Sequence, residues 1–180
     1  MKKVVCLFAS VALAACASHP KPMPMAMATL NSTSGSTAKG MVHFTQMKDG
    51  SVEVQVDLTG VPAGVHGFHV HEMADCGDNG NAAGGHFNPA SMQHGSPEAT
   101  SHHAGDFGNV TAGDNGEVHT KFMTRSINVA SGMNPVAGHA VILHANADDL
   151  TSQPSGNAGP RIACGVVENM MMDDMSGMHH

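Results

Sequence analysis

The sequence contains no tryptophan or tyrosine and only six phenylalanines among its 180 residues. It therefore lacks the rings on which proteins stack single-stranded nucleic acid, and it lacks the aromatic anchors of many protein interfaces. The chain also has few positive charges: it contains eight Lys and Arg but 15 Asp and Glu, which gives a formal net charge of −7. Proteins that bind nucleic acid usually need clustered cations to contact phosphates, so we expect no nucleic-acid partner.

Long apolar segments are also missing. The one pronounced apolar run, residues 4–13, follows two lysines and is too short to span a bilayer, a pattern typical of an export signal. It leads into Leu-Ala-Ala-Cys at residues 13–16, which resembles the lipobox of bacterial lipoproteins. We expect residues 1–15 to be removed as a signal peptide and Cys16 to be acylated. The alternative is an ordinary cleaved signal in which Cys16 is incidental.

The sequence has only four cysteines. Cys6 lies in the expected signal and Cys16 is the expected lipid attachment site, which leaves Cys76 and Cys164 for the folded part. In an oxidising compartment, two remaining thiols most simply form a disulfide. We expect a periplasmic location in a bacterial cell envelope, with the lipid on Cys16 as the contact to a membrane, most simply the outer membrane.

The folded part reads as one all-β domain at residues 38–168. Residues 51–58 alternate strictly between apolar and polar side chains, as in a half-buried strand. Gly-rich turns separate further short strands at residues 41–46, 67–72, 117–123, 139–145 and 162–168. The pattern predicts a Greek-key sandwich or barrel of about eight antiparallel strands, with two long loops at residues 73–105 and 145–161.

The two ends of the exported chain differ in composition from this domain. Residues 16–37 are rich in Pro, Ser, Thr and Met and look like a tether that merges into a first edge strand near residues 27–31. Residues 169–180 form a Met- and His-rich tail that we expect to be disordered. Two hypotheses stay open for this tail: inert chain, or copper capture through its thioethers and imidazoles.

Histidine and methionine are plentiful, with 14 and 15 copies. His69 and His71 are two residues apart on a predicted strand, so both side chains leave the same face. Such a pair alone is more often packed or surface histidine than a metal site. Three neighbouring segments add further metal-ligand types, however: His86, His94, His103, Asp106 and His144. His43, His119 and His139 lie on strands without partners at ligand spacing, and surface or core roles are expected for them.

Six blocks of sequence carry a specific resemblance. They are GFHVHE at residues 67–72, GGHFNP at 84–89, HGSP at 94–97, HAGDFGNV at 103–110, HANADDL at 144–150 and GNAGPRIACGVV at 156–167. In this order they resemble the copper,zinc superoxide dismutases, in the bacterial, periplasmic lipoprotein form. The resemblance implies a β-sandwich fold with one copper and one zinc per chain.

The resemblance also implies roles for individual residues. The implied copper ligands are His69, His71, His86 and His144. The implied zinc ligands are His86, His94, His103 and Asp106, so His86 would bridge the metals and carry a catalytic proton. Asp148 would be the carboxylate behind the ligands, and Arg161 the cation that docks superoxide. Cys76 and Cys164 would form the family disulfide.

The implied function is dismutation of superoxide to oxygen and hydrogen peroxide in the cell envelope, by copper that alternates between Cu(II) and Cu(I). The rival hypothesis is a non-catalytic copper-binding or copper-buffering lipoprotein on the same fold, which the Met- and His-rich ends favour. Cys76 follows His71 by only five residues, as in bacterial members, so the loop that often shapes the dimer contact differs. The quaternary state stays open, with a homodimer as one alternative.

Overall fold

The computed structural model describes residues 23–129 and 132–170. The expected signal peptide, Cys16 and all of the tail after Met170 lie outside these ranges. The described chain forms eight strands and one 3-10 helix: β1 Met25–Ser32, β2 Lys39–Gln46, β3 Val52–Thr59, β4 Gly64–His71, the helix Asp78–Ala83, β5 Asp106–Ala112, β6 Val118–Thr124, β7 Ala140–His144 and β8 Arg161–Asn169. Within the described ranges, no helix has the length and apolar character needed to cross a bilayer.

All strand pairs are antiparallel, in the order β5-β4-β7-β8-β1-β2-β3-β6. Neighbours that are distant in sequence, such as β4 with β7 and β8 with β1, produce the crossovers of a Greek key. The sheet curls into a nearly closed barrel with β5 and β6 at its two ends. The all-β prediction is therefore confirmed.

The period-two pattern of β3 explains how the core forms. Val52, Val54, Val56 and Leu58 are fully buried, and the polar residues between them are only partly covered. Strands β1 and β2 alternate in the same way, so their inward side chains meet those of β4, β7 and β8 inside the barrel. Burial of this apolar surface is the main force that holds the barrel together.

Strand β1 differs from the sequence expectation of an edge strand. It pairs with β2 on one side and with β8 on the other, which places it in the interior of the sheet. Both outer limits of the ordered domain also lie beyond residues 38–168. Strand β1 begins at Met25, and the backbone N–H of Met170 donates to the carbonyl of Met25 at 2.9 Å.

Two long connections cover the outer face of the sheet half formed by β4, β7 and β8. The connection from β4 to β5 contains the 3-10 helix, and the one from β7 to β8 crosses nearby. The Cys76–Cys164 disulfide fastens the first connection to β8, as predicted. Beneath it lies a small apolar cluster that includes Ala83, Ile142 and Cys164. The loops are thus fixed against a rigid sheet, which is the usual way to position a site.

Candidate metal centre

Four buried histidines meet on this covered face. His69 and His71 leave the outer side of β4, and His144 ends the adjacent strand β7. The first connection brings in His86, which forms an isolated antiparallel bridge with His71. One nitrogen from each imidazole lies within 4.8 Å of the others. The strand pairing therefore assembles the group that the sequence placed in separate segments.

A second buried group shares His86. Three imidazole Nδ1 atoms approach Asp106 Oδ1: His86 at 2.7 Å, His94 at 3.0 Å and His103 at 3.3 Å. Asp106 is the first residue of β5, and His103 stands three residues before it. The two nitrogens of His86 consequently serve different groups, with Nδ1 in this one and Nε2 facing the four-histidine group.

Backbone and carboxylate acceptors decide which nitrogen each histidine presents. Nε2 of His69 donates to Asp148 Oδ2 at 2.7 Å, and Nδ1 of His71 donates to the Gly84 carbonyl at 3.0 Å. Nδ1 of His144 donates to the Gly159 carbonyl at 3.0 Å. Since these nitrogens carry the protons, the opposite nitrogen of each ring faces the group as a lone pair, which is how metal-binding histidines are oriented.

Several of the inward nitrogens have no partner within the described chain. Nδ1 of His69, Nε2 of His86 and Nδ1 of His103 are buried without a hydrogen bond. Nε2 of His71 and Nε2 of His144 lie 3.4 Å apart, and by the argument above neither carries a proton. Buried polar atoms are rarely left unsatisfied, and a cation in each group accounts for all of them. Four nitrogens suit Cu(II), and three nitrogens with one carboxylate suit Zn²⁺.

Burial keeps three imidazoles of the four-histidine group neutral, those of His69, His71 and His144. It lowers the pKa of His69 and of His71 well below the usual value, and the nearby His86 lowers both further. Burial also lowers the pKa of His144 to about 4. These side chains are therefore unprotonated at neutral pH, the form in which they bind a metal.

Asp106 is held in its ionised form. Burial alone would raise its pKa, but a hydrogen bond from His86 and backbone N–H donors from His103 and Gly95 lower the pKa overall. The second group thus combines one negative oxygen with three imidazoles in a buried setting. That charge balance suits a structural dication that water does not reach.

Asp148 connects the two groups from behind. Its Oδ2 accepts from His69 as described, and its Oδ1 accepts from Nε2 of His94 at 3.0 Å. Asn109 Oδ1 accepts from the backbone N–H of Asp148 at 2.8 Å and fixes the loop in place. The predicted link between a ligand of each metal is therefore present. Gly156, at φ +65°, makes room for it, because an added Cβ would overlap Asp148 Oδ1 and lie 2.7 Å from His94 Nε2.

Arg161 stands at the mouth of the centre. It begins β8, is partly buried, and lines a cavity of about 740 Å³ together with His71, His86 and His144. Its guanidinium donates to the carbonyls of Gly80 and Gly84 on the first connection, which fix its direction. A small anion that enters this cavity meets a positively charged group beside the four histidines.

Comparison with known proteins agrees with this geometry. A family model described as copper/zinc superoxide dismutase (SODC) matches residues 38–167. The chain belongs to the copper/zinc superoxide dismutase family. A solved structure described as that of the clock protein EA4 is 39% identical, with a TM-score of 0.72, and the match covers 83% of this chain and 97% of the other.

The family assignment confirms the resemblance seen in the sequence, and with it the copper and zinc cofactors. In this superoxide dismutase-type centre the four-histidine group is the copper set, and the group with Asp106 is the zinc set. All nine predicted metal, link and anion-docking residues lie together at the centre. Cys16, the predicted lipidation site, lies outside the described residues.

Sequence reasoning missed several supporting groups of the dismutase centre. Gln153 accepts from the backbone N–H of His94 at 2.9 Å and donates to its carbonyl at 2.8 Å, so it clamps a zinc ligand from 59 residues away. The carbonyls of Gly84 and Gly159 and the side chain of Asn109 were missed as well. Backbone acceptors and distant amides leave no signal in a single sequence.

Proposed function

We propose that this protein dismutates superoxide, with copper as the redox metal and zinc as the structural metal. The observation that carries the proposal is Arg161, held at the open mouth of a complete copper set by two backbone carbonyls. A protein that only stores copper needs ligands, but it does not need a fixed cation beside them that suits an incoming anion.

The chain's own residues have distinct tasks in this reaction. When bound, copper supplies one-electron oxidation and reduction by alternating between its two oxidation states, and zinc holds its ligands in place. Arg161 binds the superoxide anion and orients it through its planar guanidinium. Nε2 of His86 is buried and unpartnered within the described chain, so it is the atom that can hold the proton needed for hydrogen peroxide to leave. Asp148 keeps the imidazoles of His69 and His94 correctly oriented.

The proposal includes an envelope location, with Cys16 as a lipid anchor. It rests on the signal-like residues 1–15, the lipobox-like sequence before Cys16, and a disulfide of the kind that persists in oxidising compartments. Fractionation of cells that carry the native chain or a Cys16→Ser variant tests this part. We expect a membrane-associated native protein and loss of that association in the variant. A native protein found among soluble fractions would contradict the anchor.

A non-catalytic copper-binding role is the second candidate. It is favoured by the similarity to a solved structure that is described as a clock protein, since this description names a role other than dismutation. The Met- and His-rich tail points the same way. The two candidate functions make different predictions for Arg161: dismutation needs this side chain, whereas copper retention does not.

The decisive experiment combines metal analysis with a dismutation assay on the purified mature protein. Arg161→Gln should lower the bimolecular rate about 10- to 100-fold, the range expected for loss of a charge-assisted hydrogen bond, with copper and zinc content unchanged. Arg125→Gln is the matched control, because Arg125 pairs with Asp49 away from the centre. An inactive, fully metallated native protein would favour the copper-binding role.

A further inference from the structure

Methionine dominates the exposed apolar surface of the described chain. Seven large hydrophobic side chains are exposed, and all but Val65 are methionines: Met23, Met41, Met73, Met92, Met123 and Met133. Isolated exposed hydrophobic residues need no explanation, but thioethers that converge on one place do. Strands β1 and β2 show such a convergence.

Met25 and Met27 are the first and third residues of β1, and Met23 lies two residues before the strand. Ala26 and Ala28, the residues between and after them in β1, are fully buried in the barrel. Because side chains alternate between the two faces of a strand, the side chains of Met25 and Met27 lie together on the outer face.

Strand β2 adds two further ligands to the same face. Its register places His43 directly opposite Met27, and Met41 opposite Thr29, one outward position further along β1. Directly opposed Cβ atoms are about 5 Å apart and diagonal ones about 7 to 8 Å, so the side chains of Met27, Met41 and His43 can reach one ion between them. Met25 pairs with Thr45, four residues along β2 from Met41, and methionine side chains cannot close that separation of about 13 Å around one ion. No hydrogen bond to the imidazole of His43 occurs within the described residues, so its nitrogens are available.

Acidic side chains flank Met27, Met41 and His43. Glu168 of β8 lies opposite Met27, and Asp57 of β3 lies opposite Met41. Glu168 therefore contributes negative charge on the outer face, which attracts a cation, whereas Asp57 already accepts hydrogen bonds from His119 and Gln55. Thioethers select soft monovalent copper, and an imidazole accepts either copper state.

We propose that Met27, Met41 and His43 form a surface site for one Cu(I) ion, separate from the copper and zinc of the dismutase centre. The separation follows from the sheet order, since β7 and β8 lie between the copper strand β4 and strand β1. The proposal does not depend on catalysis, because it concerns binding of Cu(I) on another part of the barrel.

The test uses the full-length holoprotein, already loaded with copper and zinc, titrated anaerobically with Cu(I) in competition with a chromophoric chelator. The native protein should bind one Cu(I) per chain that the combined variant Met27→Leu and Met41→Leu does not bind. A matched control carries Met73→Leu, Met123→Leu and Met133→Leu, three exposed methionines elsewhere on the barrel. The control should retain the Cu(I) equivalent that the first variant loses.

A third variant, with Met171, Met172, Met175 and Met178 replaced by leucine, separates this site from the tail. The proposal would be overturned if only the tail variant lost the additional Cu(I) ion, or if all three variants still bound it. A second readout needs no variant: methionine methyl NMR signals of the native holoprotein during titration with Ag(I), a redox-inert substitute. The methyl signals of Met27 and Met41 should shift together at one equivalent, and unchanged signals would contradict the assignment.

Discussion

At the scale of single residues, Asp148 couples the two ligand sets because one carboxylate accepts from a histidine of each. In Asp148→Asn the amide can accept through only one atom, so His69 or His94 loses its partner or changes tautomer. We expect affinity for both metals to fall by about 10- to 100-fold. Competition with graded chelators measures this fall. Asp149→Asn, at the exposed neighbouring carboxylate, is the control and should retain both metals.

The buried imidazoles also predict how the metal-free protein responds to acid. His144 titrates with a pKa of about 4 in the fold, against about 6.5 in an unfolded chain. Between these values the unfolded state binds more protons, so unfolding becomes easier as pH falls from 6.5 towards 4. His144 alone accounts for a loss on the order of 3 kcal/mol, and His69 and His71 act in the same direction.

Denaturant unfolding of the metal-free protein at several pH values measures this loss. The control is the metal-loaded protein, in which bound metals keep the same imidazoles unprotonated, so its stability should begin to fall only at lower pH. Equal stability of the metal-free protein at pH 7 and pH 5 would contradict the burial of neutral histidines.

At the scale of elements, the disulfide fastens the connection that orients Arg161. Cys76 and Cys164 are 88 residues apart, and closing a loop of that length stabilises a fold by roughly 4 to 5 kcal/mol in the chain-entropy model. The reduced metal-free protein should therefore melt at a lower temperature. The carbonyls of Gly80 and Gly84 should also hold Arg161 less firmly, so the dismutation rate should fall. Unchanged melting after verified reduction would show that the link adds no stability.

The sequence allowed some elements to be predicted and hid others. Strand β3 was predicted because its alternation of apolar and polar residues is strict. Strand β1 lies inside the sheet rather than at the expected edge because it pairs with β8, and that pairing joins segments more than 130 residues apart, which a single sequence does not reveal. Strand β5 was not predicted, because zinc-motif residues and Gly108 interrupt its pattern. The ligands themselves were predictable because their spacing is specific to the family.

At the scale of the whole molecule, both described ends of the chain lie far from the mouth of the centre. Strand β8 starts there with Arg161 and runs nine residues, about 30 Å, to Asn169, which pairs with Ala26 of β1. The ten residues after Met170 reach about 35 Å only when fully extended. Copper transfer from this tail to the centre of its own chain would require nearly complete extension. An anchor at Cys16 would hold the mouth away from the membrane.

The distribution of charge gives the last prediction, which concerns the approach of superoxide. The chain carries a formal charge of −7. Within the described residues, the cavity at the centre is lined by Glu72 and Arg161 but by no lysine. Lys121 of β6 pairs with Glu53 of β3, and Arg125, just after β6, pairs with Asp49, just before β3. Both cations therefore lie on another side of the barrel. Attraction to the mouth therefore comes mainly from Arg161 and the metals.

Because exposed charges are screened within about 8 Å at physiological salt, we expect the bimolecular rate to change little with ionic strength. Gln93→Lys, at an exposed position on the cavity rim, should raise the rate at low salt and introduce a steep decline with added salt. Gln153 lies on a neighbouring loop that also lacks lysine. It is not a suitable site for this substitution, because its side chain makes two hydrogen bonds to the backbone of the zinc ligand His94. Thr111→Lys on β5 adds the same charge away from the mouth and should leave the rate unchanged. A native rate that already falls steeply between low and physiological salt would mean that another cation faces the cavity.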